Sequence, residues 1–196
     1  DALKRGEVIV FPTETFYGLG ADAFNETAVE QVVSLKGRKP ENPIPIIIAG
    51  REMLKDIVTD VPAVARKLME RFWPGPLTLV LPRKQNLPVS LLNRSGGVGI
   101  RISSHPLATR LARELGRPVT ATSANPSGKE PARSIEEAMS YFSGKVDIFL
   151  DGGKLEGTRG STVVEVLQNG WRAIREGEIS LPELKKALRD IRFGKL

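Results

Sequence analysis

Short apolar runs alternate with helical patterns along the whole chain, and this alternation most narrows the fold. The runs at 8–11, 44–48, 77–81, 98–102, 119–122, 148–150, 162–167 and 171–175 are short and bounded by turn residues, so they read as strands. The stretches 26–35, 63–72, 107–115, 135–142 and 184–191 carry apolar residues at helical spacing. Asn25 fits an N-cap for the first helix, Pro62 fits the first turn of the second, and Ser104 before His105-Pro106 marks another start. Gln168-Asn169-Gly170 between two strand runs predicts a hairpin. Strands interleaved with helices, plus an antiparallel pair near the C-terminus, give an α/β or α+β fold. No repeat or low-complexity linker divides the chain. A single domain over 1–196 is expected, with a core over about 6–177 and a basic C-terminal helix over about 180–196.

Composition removes several chemistries. The chain has no cysteine and one histidine. Disulfides are excluded, and most ordinary metal sites and nucleophilic triads lose their ligands or base. No stretch approaches eighteen uncharged apolar residues, so no membrane span is expected. The start, Asp1-Ala2-Leu3-Lys4-Arg5-Gly6, is too polar for a signal peptide, although an opening on Asp1 leaves a removed leader open. A cytoplasmic location is the expectation. The net charge of +6 favours anionic ligands, from ATP to RNA. Residues 180–196 hold five Lys/Arg against two Asp/Glu, half of that excess. A solvated helix face explains them most simply, and a nucleic-acid contact is the sharper alternative.

Polar clusters after apolar runs are the candidate site. Ser123-Ala124-Asn125 follows the run ending near Thr122, and Lys36-Gly37-Arg38 closes the first helical pattern. Two cations, a hydroxyl and an amide suit a polyanion such as a nucleoside triphosphate. Pro12 to Gly20 places Thr13, Glu14 and Thr15 in a loop after a strand, as open to turn chemistry as to binding. Gly18-Leu19-Gly20-Ala21-Asp22-Ala23 matches a dinucleotide fingerprint only formally. It does not leave a strand directly, nor does it open a helix, so a turn-forming glycine pair is expected there. There is no phosphate-binding loop of the GxxxxGK[ST] type. Trp73-Pro74-Gly75-Pro76 reads as a rigid stop. Arg101 inside a strand run needs an anionic partner, either a ligand or a structural carboxylate. His105 before Pro106 reads as a cap rather than a base. Asp147, Asp151 and Glu156 lack metal-loop spacing, and the Gly152-Gly153 turn accounts for Asp151. Ser161 and Arg175 bracket the base of the predicted hairpin, where one ligand could touch both.

These segments together resemble the YrdC-like family of threonylcarbamoyl-adenylate synthases. The blocks are PTETFYGLG (12–20), LKGRKPENP (35–43), WPGPLTLVLP (73–82), VGIRISSHP (98–106), TSANPSGK (122–129), STVVEV (161–166) and AIREG (173–177), in the family's order. The resemblance implies a twisted α/β fold around a large, open, basic cavity. It implies joining L-threonine, bicarbonate and ATP into threonylcarbamoyl-AMP and pyrophosphate, with magnesium carried mainly by phosphate oxygens. A separate threonylcarbamoyl-transferase complex would then modify tRNA, and direct contact with tRNA or double-stranded RNA is compatible. The family's signature pairs fall on Lys36, Arg38, Ser123 and Asn125. By the same matching, Arg38, Asn42, Ser123 and Arg175 face ATP, and Thr13, Thr15, Arg101, Ala121 and Ser161 face threonine. No metal-ligating residue is assigned.

The chain departs from the family in places. Ile46, Ile47 and Ile48 stand where some members carry a histidine. Arg101-Ile102-Ser103 replaces an Arg-x-Pro step, and Gly160 replaces a common Glu or Pro. Longer relatives carry an extra C-terminal domain, which is not expected here. Two other readings stay open: an RNA-binding module, and a carbamoyl-adenylate transfer domain of the kind found in hydrogenase maturation.

Overall fold

The computed structural model describes residues 1–37, 42–84, 87–168 and 170–189. Local signals place the helices. In α1 (Glu26–Lys36), Asn25 Oδ1 accepts from the Ala28 N–H at 3.1 Å, and Gly37 closes the helix in the left-handed region. The short α2 (Leu54–Ile57) precedes α3 (Ala63–Phe72), where Pro62 is the N-cap rather than a first-turn residue. α4 (Pro106–Leu115) is capped by His105, not Ser104: its Nδ1 accepts from the Leu107 N–H at 3.3 Å. α5 (Ile135–Phe142) matches its expected span. α6 (Leu181–Ala187) starts three residues early, because Ser180 and Glu183 form a reciprocal capping box. The expected end of that helix, at 191, lies outside the described residues.

The strands form two sheets. The four-stranded sheet holds β1 (Ile9–Pro12), β2 (Tyr17–Gly20), β7 (Thr122–Ser123) and β8 (Ile148–Phe149), in the order β7-β2-β1-β8. The six-stranded sheet adds β3 (Ile46–Ile47), β4 (Leu77–Pro82), β5 (Gly97–Arg101), β6 (Val119–Thr120), β9 (Thr162–Leu167) and β10 (Gly170–Arg175). Its order is β10-β9-β4-β5-β3-β6. The expected hairpin is present, with β9 and β10 antiparallel and Leu167 opposite Gly170; Asn169 lies outside the described residues.

Two expectations are corrected. The run 119–122 is not one strand: it crosses between the sheets at Ala121, whose N–H donates to the Pro45 carbonyl at 2.8 Å. Thr120 fixes the crossing, its hydroxyl donating to the Leu19 carbonyl at 3.1 Å and accepting from the Ala21 N–H at 2.9 Å. Gly18 and Gly20 do not make a turn; they lie in β2, with Phe11 opposite Gly18 and Ile9 opposite Gly20. A Cβ on Gly20 would stand 2.7 Å from the Phe11 ring, so the glycine makes room for that ring.

Strand alternation builds two apolar clusters. Val10, Ile46 and Ile48 join the main core, whereas Ile9, Phe11 and Ile47 turn to a smaller cluster under α4, with Ala108, Ala112 and Val119. Covering β1 and β3 from both sides holds the loop after β1 and the end of β5 in place.

Candidate active site

The step of the chain from one sheet to the other leaves an open cavity of about 770 Å³. The loop after β1 supplies Thr13 and Thr15 to its wall, and the end of β5 supplies Arg101. Ala121 and Ser123 come from the crossing, Ser161 from the residue before β9, and Arg175 from the end of β10. A second cavity of about 610 Å³ shares Pro45 and Arg175 with the first and is lined by Asn42 and Thr78. Seven of the sequence-predicted residues therefore line the first cavity and Asn42 lines the second. Lys36 and Asn125 stand behind the wall. Arg38 lies outside the described residues.

Lys36 is 4 % exposed. Its Nζ donates to the Ser123 carbonyl at 2.7 Å, to Asn125 Oδ1 at 3.0 Å and towards Ser123 Oγ at 3.4 Å. Asn125 Nδ2 in turn donates to the Lys129 carbonyl at 2.6 Å, and the Ser127 N–H donates to the Lys36 carbonyl at 2.8 Å. The last residue of α1 thus clamps the loop after β7 and fixes Ser123 at the cavity. A buried ammonium is tolerated only with such acceptors.

The opposite wall carries two guanidinium groups. Arg101 is 4 % exposed. Among the described residues its side chain bonds only Glu14, through Nη1 to Oε1, which leaves most of its five N–H donors for the cavity. Ser103 Oγ donates to the other oxygen of Glu14. Arg175 is open to solvent where the two cavities meet. Its Nη2 donates to the Ser161 carbonyl at 2.8 Å and towards Ser161 Oγ at 3.3 Å, and no carboxylate pairs with it among the described residues. A register shift between Ala173 and Arg175 sets Arg175 opposite Val163 and within reach of Ser161. Burial pulls the Arg101 pKa below the ordinary guanidinium value, with Glu14 opposing. Desolvation and then the charge of Arg101 lower that of Arg175. Both guanidinium groups line the cavity, Arg101 backed by the Glu14 carboxylate and Arg175 with no carboxylate paired to it among the described residues.

The hydroxyls have defined polarity. Thr13 commits its single proton to the Phe16 carbonyl at 2.7 Å, so in the 3.1 Å pair with Thr15 the donor is Thr15. Thr15 therefore offers the cavity an acceptor. Ser161 accepts from Arg175 and sits 2.8 Å from the buried Thr78 hydroxyl.

Some functional neighbours were not legible in sequence. Glu14 and Ser103 are two of these: an arginine in a strand run demands an anionic partner without saying which one. Tyr17 is fully buried, and its hydroxyl donates to the Gly153 carbonyl at 2.7 Å and accepts from the Gly152 N–H at 2.9 Å. This pins the irregular segment that carries Thr158 and Arg159 to the cavity rim. Gly157 passes so close to Thr15 that a Cβ would lie 2.1 Å from its carbonyl oxygen. Asp151 serves the turn, accepting from the Gly153 N–H at 2.8 Å. His105 is a cap.

Fold and site define a mixed α/β protein whose two sheets frame an open cationic cavity suited to small anions. The family model described as "Telomere recombination", covering the Sua5, YciO and YrdC proteins, matches residues 1–177. The chain belongs to this family. It is 38% identical to a threonylcarbamoyl-AMP synthase of Pyrococcus abyssi over 97% of its own length, and 38% identical to one of Bacillus subtilis over 98%. It spans only 56% of each of those proteins. The crystal structure of P. abyssi Sua5 complexed with L-threonine superposes with a TM-score of 0.91 at 38% identity, covering 97% of this chain and 56% of that one.

Proposed function

We propose that this chain is a threonylcarbamoyl-AMP synthase, acting on L-threonine, bicarbonate and ATP. The observation that carries the reading is the wall formed by Arg101 and Arg175, facing Ser123 held by Lys36 and Asn125. Relatives bearing that activity by name, one of them solved with L-threonine, support it.

The threonine amine adds to bicarbonate, losing water, to give a carbamate. A carbamate oxygen then bonds the α-phosphorus of ATP, and the bond to the bridging oxygen breaks, releasing pyrophosphate. The nucleophile is already anionic, so a lone capping histidine is no handicap. What this site must do is position two anions and offset their charge. The free donors of Arg101 suit a two-point contact with the threonine carboxylate. Thr15, an acceptor, suits an N–H or O–H of the amino acid, and Thr13 orients it. Ala121 leaves space beside them. Ser161 and Arg175 sit where amino acid and nucleotide would meet. Asn42 in the second cavity, with Ser123 and Arg175, would hold ATP; Lys36 and Asn125 would position Ser123, and Arg38 would add charge. Among the described residues no group of three or more His, Cys, Asp or Glu is placed to hold a metal ion. The cationic wall fits phosphate oxygens rather than a protein-ligated magnesium ion; any magnesium would travel with ATP.

The product would be consumed by a transferase complex that modifies tRNA, and the cytoplasm is the compartment we assign. No helix among the described residues is long and apolar enough to cross a membrane. The reading is tested by pyrophosphate release from ATP with threonine and bicarbonate each supplied or omitted. Release that requires both is expected. Release independent of threonine, or none, overturns it.

A further inference from the structure

Glu14 stands next to the cavity but is not part of its lining, and the site chemistry above gives it no contact with a substrate. Its placement is nonetheless tightly fixed. Oε1 takes a hydrogen from Arg101, and Oε2 takes one from Ser103. Ser103 is itself fixed, its Oγ accepting from the N–H of His105, the cap of α4, at 3.1 Å. The Glu14 side chain is 14% exposed and that of Arg101 5%. Two donors and the start of a helix therefore hold one carboxylate against one edge of a buried guanidinium. The remaining donors are left to the cavity.

The pairing changes what Arg101 can attract. A bare buried guanidinium draws any anion, and the more charged the anion, the stronger the pull. Arg101 paired with Glu14 is close to neutral as a unit, yet it still presents N–H donors in a planar fork. That fork matches a carboxylate in geometry. A zwitterionic amino acid approaches a near-neutral pair at little electrostatic cost. A triphosphate or pyrophosphate approaching the same fork meets the charge of Glu14 at short range. Arg175 lacks such a partner among the described residues, so it keeps its full attraction for polyanions. The two arginines differ in the anion they favour because only one of them has a carboxylate behind it.

We infer that Glu14 is a specificity-determining residue that reserves Arg101 for the carboxylate of the amino acid and keeps phosphate anions out of that part of the cavity. The inference rests on the proposed function for the identity of the amino acid, but the exclusion of polyanions stands on the geometry alone.

The test uses the full chain, L-threonine and inorganic pyrophosphate, by calorimetry. In the wild-type chain threonine binds and saturating pyrophosphate leaves its Kd within about twofold, because the two occupy different cations. In Glu14→Gln, which keeps an acceptor for Arg101 but removes the charge, pyrophosphate binds in a second event and displaces threonine about tenfold more effectively. Glu14→Asp keeps a negative charge beside Arg101 and should exclude pyrophosphate far better than Glu14→Gln; pyrophosphate that displaces threonine equally well from the two variants overturns the inference. Glu14→Gln with wild-type pyrophosphate binding overturns the inference, as does displacement of threonine by pyrophosphate in the wild type. If Glu14→Gln does not fold, the wild-type competition still decides. If the wild-type chain binds no threonine, the functional reading fails; the second pyrophosphate event in Glu14→Gln alone then decides the inference.

Discussion

Lys36 and Arg101 are both cations buried to the same degree beside one cavity, yet the fold uses them in opposite ways. Lys36 is not part of the cavity lining and gives its ammonium to the Ser123 carbonyl and the Asn125 amide oxygen, 87 and 89 positions along the chain. It is a clamp between α1 and the loop after β7. Arg101 is held from behind by Glu14 and keeps donors for the cavity. Burial and charge alone do not tell a binding cation from a bracing one; the direction of the remaining donors does.

The largest effect is expected at the clamp. Lys36→Ala removes the ammonium that joins the Ser123 carbonyl to Asn125 Oδ1, leaves that carbonyl only the Asn125 N–H at 3.0 Å, and should lower pyrophosphate release by about 100-fold or more. It should also cost about 1–3 kcal/mol in thermal or denaturant unfolding. Wild-type turnover in this variant would show that the clamp does not position Ser123 for the reaction. Arg101→Lys keeps the charge but loses the fork. The threonine KM should rise about tenfold with a smaller change in kcat, read from initial rates. An equal loss in both would assign Arg101 to the transition state instead. Thr15→Val removes the cavity acceptor and should raise the threonine KM several-fold, on the order of one lost hydrogen bond. Gly20→Ala pushes a methyl into the Phe11 ring and should cost about 1–3 kcal/mol of stability, with KM unchanged in the folded fraction.

The smallest effect concerns pH. Burial holds the His105 pKa below the ordinary 6.5, with Glu14 opposing. The folded state therefore prefers neutral imidazole, whose Nδ1 caps α4. The stability this contributes is complete above 6.5 and is lost as pH falls through the lowered folded-state value. Unfolding midpoints measured downward from neutral pH should fall less in His105→Asn, which retains a capping acceptor without titrating. Equal slopes in the two chains would remove His105 from the acid response.

Much of this was legible in sequence because it is local. α3 and α5 lie over their expected spans, and Asn25 caps α1, since the spacing of apolar residues and the cap decide a helix within a few turns. The polar blocks around Thr15 and Ser123 follow apolar runs, Ser161 and Arg175 bracket the base of a predicted hairpin, and the cavity gathers all four. The errors are equally local in origin. Gly18-Leu19-Gly20 has the composition of a turn, and only Phe11 on the next strand makes glycine necessary in β2. The run 119–122 has one uniform pattern, so nothing in it announces that Thr120 and Thr122 belong to different sheets.

The mixed α/β class, the cation-rich balance and the residue types available to the site follow from periodicity and chemistry that each segment carries alone. That Lys36 meets Ser123 rather than solvent, that Glu14 rather than another acid stands behind Arg101, and that Arg175 joins two cavities come from the folded arrangement. Each of these depends on strands distant in sequence meeting in register, and side chains far apart along the chain have no way to signal their partner until the sheets bring them within a few ångströms.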